Sequence, residues 1–193
     1  MKLTSLSLLF VLVSATVATA ATHTLSAEEE KLFKIVKAHP EQERKTMKLD
    51  PILCQVARSR AADLARREYF AHVNPDGEGP NLLVRRAGFF LPSFYSKSKD
   101  ANNIESIAAR SPKGKAQDGF DQWLGSSFHR PHLLGLIDFN REQTFVGVGI
   151  FNSNDAPFAT YYVFISAPKN RNQNPPSVTL KSHTGETIAK TRN

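Results

Sequence analysis

The chain is 193 residues long, with 25 Lys and Arg against 18 Asp and Glu, a formal charge of +7 and one cysteine, Cys54. A lone cysteine excludes an intramolecular disulfide, so stability has to come from packing, and the length suits one domain with one core. The cations lie along helical patterns rather than gathering with aromatics, which argues against a nucleic-acid interface; a basic chain of this kind suits anionic polymers or membrane surfaces instead.

Lys2 precedes an apolar stretch from Leu6 to Val13, and Ala18-Thr19-Ala20 follows it. That is the pattern of a secretory signal peptide over residues 1–20. The apolar run is far shorter than the ~20 residues that span a bilayer, and no later segment is longer, so the expectation is a protein with no membrane span, secreted or periplasmic. The mature chain would begin near Ala21 and carry +6, since Lys2 is lost. Residues 21–29 form a lead-in. In it Ser26 and Glu29 are spaced as a capping box, opening a helix through Leu32, Phe33, Ile35 and Val36 that ends near His39-Pro40.

Asp50 is a good N-cap and Pro51 suits a first helical turn. From there Leu53, Val56, Ala57, Ala61, Leu64 and Ala65 recur at helical spacing between arginines, predicting a helix with one buried stripe and one basic face. Cys54 sits beside that stripe and reads as a small buried hydrophobe rather than a nucleophile. Asn74-Pro75-Asp76-Gly77 must break the chain direction, which leaves His72 between a helix exit and a tight turn. Residues 81–88 predict a short helix stopped by Gly88, and residues 89–99 a strand or loop. Propensity assigns residues 100–108 no element.

Ala116, Phe120, Trp123 and Leu124 predict another helix, with Trp123 as a core anchor. The runs at residues 144–151 and 160–166 are β-branched and aromatic, and the loop composition between them favours an antiparallel pair. Residues 168–193 are polar and read as a flexible tail. Helices followed by late antiparallel strands make the fold class α+β.

Four motifs then occur in order: Tyr69-Phe70-x-His72-x-x-Pro75-Asp76-Gly77; Asn103-Ile104 after a polar approach; Trp123-Leu124-x-Ser126-x-x-His129-Arg130; and Val146-Gly147-Val148-Gly149 followed by Tyr161-Tyr162-Val163. Together they resemble the SCP domain, the bacterial branch of the CAP superfamily named for cysteine-rich secretory proteins, antigen 5 and pathogenesis-related 1 proteins. The resemblance covers residues 30–167. It implies an α-β-α sandwich with a central antiparallel sheet between helical layers, and a cleft in which two histidines, matched here by His72 and His129, face each other near acidic groups. The family's Gly-Glu-Asn-Ile is matched to Ala101-Asn102-Asn103-Ile104, so Asn102 stands where a glutamate is expected and Glu105 is the nearby carboxylate. Ser126 replaces the acidic residue that many eukaryotic members carry three positions after the tryptophan.

Taken singly, each histidine reads as a structural residue satisfied by hydrogen bonds; taken together with the resemblance, they read as one ligand-binding cleft of His72, Asn102, Glu105 and His129. Two neutral imidazoles could share a divalent ion such as Zn²⁺, with His72 and His129 as its ligands. Two functions follow: a non-catalytic, monomeric binding module for a lipid, sterol, cell-wall polymer or protein partner, or a metal-dependent hydrolase or peptidase using the same cleft. No Gly-x-Ser-x-Gly or His-Glu-x-x-His pattern is present, and with an amide in place of the expected glutamate the binding module is preferred.

Overall fold

Residues 24–168 are described by a computed structural model; the signal-peptide and polar-tail expectations fall almost wholly outside these residues. The described chain folds as α1 (Ala27–Ala38), β1 (Lys48–Leu49), α2 (Pro51–Arg66), α3 (Pro80–Arg86), β2 (Glu105–Arg110), α4 (Ala116–Leu124), α5 (Arg130–Leu134), α6 (Asp138–Arg141), β3 (Phe145–Asn152) and β4 (Thr160–Ala167).

The strands form one sheet in the order β1-β3-β4-β2. β3 and β4 pair antiparallel from Phe145 opposite Ala167 to Asn152 opposite Thr160, the hairpin that composition implies. β2 runs antiparallel along the other side of β4. The sheet is antiparallel across its three long strands, and the two-residue β1 adds a parallel edge on β3, which makes it mixed.

Every residue of β4 is buried, and its side chains alternate between two cores as a pleated strand requires. Tyr161, Val163, Ile165 and Ala167 join Leu53, Ala57, Ala61 and Leu64 of α2 on one face. Tyr162 and Phe164 join Leu32 and Val36 of α1 and Phe120 and Trp123 of α4 on the other. This is the α-β-α layering that the resemblance implies. The glycines of β3 explain how closely α2 lies on the sheet. A Cβ at Gly147 would come within 2.1 Å of the Leu53 backbone, and one at Gly149 within 2.3 Å of the Ala57 backbone, so neither position tolerates a side chain without moving the helix.

Local signals hold where the sequence is explicit. Ser26 and Glu29 cap each other's backbone, and Asp50 accepts from the N–H groups of Ile52 and Leu53. Residues 89–99 make turns rather than a strand, anchored by buried Phe89, Leu91 and Tyr95. The polar stretch that propensity leaves unassigned supplies β2, whose register on β4 runs from Glu105 opposite Ile165 to Arg110 opposite Thr160. Tertiary pairing overrides propensity there, and it places two adjacent polar residues, Glu105 and Ser106, in the interior.

Candidate functional site

The first residues of β2 form the floor of an open recess of about 320 Å³. His72 reaches it from the loop after α2, and His129 from the residue that precedes α5; Asn102 and Glu105 also line it. All four residues singled out in the sequence therefore border one space.

Glu105 is the centre of the charged half. Its side chain is fully buried, and it accepts from Arg60 Nε at 2.9 Å and Arg60 Nη2 at 3.2 Å. Arg60 is itself 2% exposed. It also donates to the backbone carbonyls of Ala71 and His72 at 3.0 and 3.1 Å, and to the Tyr69 hydroxyl, which in turn donates to Asp63. Burial is the largest influence on the Arg60 pKa and pulls it down, but Glu105 and Tyr69 more than reverse it, so the guanidinium stays charged. One arginine thus fastens the His72 loop to β2. Glu105 Oε1 lies 3.0 Å from His72 Nδ1. A carboxylate only accepts, so this contact fixes the proton on Nδ1 and leaves the Nε2 lone pair to the recess.

His129 is oriented similarly by a neutral group: Ser126 Oγ lies 2.8 Å from its Nδ1. Burial lowers the His129 pKa, and the nearby His72 lowers it further, which favours the neutral ring. Among the described residues, Nε2 of neither His72 nor His129 has a hydrogen-bond partner. Ser126 fixes the orientation of the His129 ring but, because a hydroxyl both donates and accepts, leaves its tautomer open, whereas the carboxylate of Glu105 only accepts and so sets that of His72.

Asn102 takes a different role from the one its motif position implies. Its Oδ1 accepts from the N–H groups of Ile104 and Glu105, and its Nδ2 donates to the Glu105 carbonyl. The amide shapes the entry into β2, and none of its hydrogen bonds goes to either imidazole. The carboxylate at His72 comes from Glu105, so the register that fits the geometry matches Gly-Glu-Asn-Ile to Ile104-Glu105-Ser106-Ile107, three residues later than the sequence match. Glu105 thus supplies a carboxylate beside His72.

Sequence reasoning left out His132, which lies in the wall of the recess and is buried. Its Nδ1 is 2.7 Å from Ser106 Oγ and its Nε2 is 2.8 Å from Ser166 Oγ. Gln143 donates through Nε2 to Tyr95 and to the Asn103 carbonyl, so its Oε1 accepts the Ser166 proton; Ser166 then accepts from His132 Nε2, and His132 Nδ1 accepts from Ser106. Burial, then the charge of Arg44, holds the His132 pKa well below the ordinary value. Both ring nitrogens are consumed. The His-x-x-His spacing was the available signal for this neighbour. Phe128, Phe139 and Asn140 also line the recess and carried no sequence signal. A separate groove of about 370 Å³ runs between α2 and α3, but its Arg67 and Arg86 are already paired with Asp63, Asp76 and Glu78 and it contains no histidine.

No family model matches the chain. It is 25% identical over 136 residues to the uncharacterized protein YkwD of Bacillus subtilis, an alignment that covers 70% of this chain and 47% of that protein. Among solved structures it resembles an extracellular protein containing an SCP domain from Bacillus anthracis, with a TM-score of 0.56 and 20% identity over 74% of this chain and 40% of that one. It also resembles an outer surface protein from Borrelia burgdorferi, with a TM-score of 0.52 and 17% identity over 74% of this chain and 95% of that one. The chain spans about half the length of the curated relative it matches. The fold is that of an SCP domain, as the motifs imply.

Proposed function

We propose that this SCP-fold chain is an exported, monomeric member of the CAP superfamily that acts as a non-catalytic binding module. Its His72–His129 recess takes a lipid, sterol, envelope polymer or protein segment. The observation that carries the reading is a pair of imidazoles tied at Nδ1, to Glu105 and Ser126, and open at Nε2 toward one recess. Imidazole NMR of the mature protein, titrated with fractions of hydrolysed bacterial envelope, tests it. At least one fraction should move the ring signals of His72 and His129 while leaving His39 unmoved; if none does, the reading falls. Similarity in fold to an extracellular and an outer-surface protein supports export, and no helix among the described residues is long and apolar enough to cross a membrane. N-terminal sequencing of exported material should then find a start at or near Ala21, and an intact Met1 would contradict processing.

The recess fits a divalent ion in part. His72 and His129 present the oriented imidazoles that a metal uses, yet among the described residues no group of three or more His, Cys, Asp or Glu is placed to hold one. An ion such as Zn²⁺ would be held by these two rings, with ligand or water oxygens completing its shell, and would supply positive charge beside the buried Glu105–Arg60 pair. Zn²⁺ should raise the melting temperature of the wild type but not of His72→Ala or His129→Ala, and the gain should fade as pH falls and the rings protonate. An unchanged melting temperature would leave an organic ligand alone.

The Glu105–His72 contact favours a second reading, a metal-dependent hydrolase or peptidase, because a carboxylate behind an imidazole is also how a general base is oriented. Turnover of the same envelope fractions that is lost in Glu105→Gln would support it; binding without turnover supports the module.

A further inference from the structure

The ligand class can be narrowed by what lines the recess and what does not. The chain is strongly basic, yet no lysine or arginine is among the lining residues, and the one acid there, Glu105, is buried against Arg60. An anionic polymer would find no cation to pair with. A dry acyl or sterol body would strand the Nε2 atoms of His72 and His129 against apolar surface, which costs free energy. An extended peptide could pair only with the outer edge of β2, the last strand of the sheet, and the residues there are buried from Glu105 to Ala108, which leaves little of that edge within reach.

What the recess does offer is a mixture of acceptors and donors with flat apolar walls. His72 Nε2 accepts, and His129 Nε2 donates or accepts according to which way the Ser126 hydroxyl proton points. Asn103 Nδ2, whose Oδ1 is taken by Asn81 and Ser96, has no partner among the described residues and can donate. Hydroxyl groups both donate and accept, and so match this set. At the mouth, Phe128 is 90% exposed and Phe139 39%. Phe139 is held in place by the buried Tyr95, with tilted rings whose centroids are 5.1 Å apart.

We infer that the recess binds an uncharged oligosaccharide, whose hydroxyls engage His72, His129 and Asn103 while the apolar faces of its sugar rings lie on Phe128 and Phe139. This rests on the recess being a ligand site, as proposed above. It moves the basic surface of the protein out of ligand recognition and gives that task to neutral hydrogen bonding and stacking.

The test is calorimetric titration of the mature protein, in chelator-treated buffer, with four probes: cellohexaose, hexa-N-acetylchitohexaose, polygalacturonate and phosphatidylcholine vesicles. At least one neutral hexasaccharide should bind with little dependence on salt. The double variant Phe128→Ala/Phe139→Ala, which removes side chains outside both cores, should weaken that binding by roughly tenfold. His72→Ala should weaken it as well. Failure of both hexasaccharides overturns the inference, and so does binding that is indifferent to the phenylalanines or saturation by polygalacturonate or vesicles alone. If the hexasaccharides fail while an envelope fraction still moves the His72 and His129 ring signals, the recess remains a ligand site and only the sugar assignment is lost. If nothing moves those signals, both are lost.

Discussion

Glu105 and Ser106 are neighbours on β2 and point to opposite sides of the strand, and the two networks they enter are built differently. Glu105 meets a buried guanidinium and holds a histidine whose side chain is still 35% exposed. Ser106 meets a buried, neutral histidine whose second nitrogen is also bonded. A charge spent on orienting His72 leaves a reactive lone pair facing the recess, whereas the hydroxyls around His132 leave nothing over. The first arrangement leaves a ring nitrogen open, as the proposed site requires, and the second is a brace, although both contain a histidine beside the same recess.

If this contrast is right, the charged network should be the more fragile one. Arg60→Met leaves Glu105 buried without its partner and should cost about 3–5 kcal/mol, with much of the loss recovered in Arg60→Met/Glu105→Met; a single-variant cost below ~1 kcal/mol in denaturant melts would break the comparison. His132→Ala strands the Ser106 and Ser166 hydroxyls and opens a cavity, and should cost about 2–3 kcal/mol.

The two networks should also separate by pH. The folded-state pKa of His132 is depressed by burial and by Arg44, and that of His129 by burial and then by His72. In the unfolded chain these rings take up protons near pH ~6.5, so the unfolded state binds more protons as pH falls below that value, and stability should decline there while being complete above it. In His132→Gln the decline should be shallower; an unchanged slope would mean that His132 is not held neutral. The smallest effect on stability belongs to His72→Ala, within about 1 kcal/mol, together with loss of recess binding. A large stability loss with binding intact would reverse the roles assigned to the two histidines.

Elements with periodic or capping signals were legible in the sequence: α1 from Ser26 and Glu29, α2 from Asp50 and its apolar stripe, α4 with Trp123, and the β3–β4 hairpin. β2 was not, because Glu105 and Ser106 are polar residues in a strand whose burial is decided by β4 and by partners far along the chain. The same feature misplaced the glutamate. Local similarity aligned Asn102 with it, whereas only the fold shows that Asn102 spends its amide on the backbone and that Glu105 faces His72. Arg60 gave no signal beyond the basic face of α2, since a buried arginine and a solvated one look alike in a helical pattern. Phe128 and Phe139 were likewise invisible, because their meaning lies in exposure beside the recess.

The most direct test of the account is ¹⁵N NMR of the His72 ring at neutral pH in the wild type and in Glu105→Ala. The account requires His72 to carry its proton on Nδ1 in the wild type, with an unprotonated Nε2 facing the recess, and to lose that preference when Glu105 is removed. A wild-type ring protonated at Nε2, or a tautomer indifferent to Glu105, would contradict it.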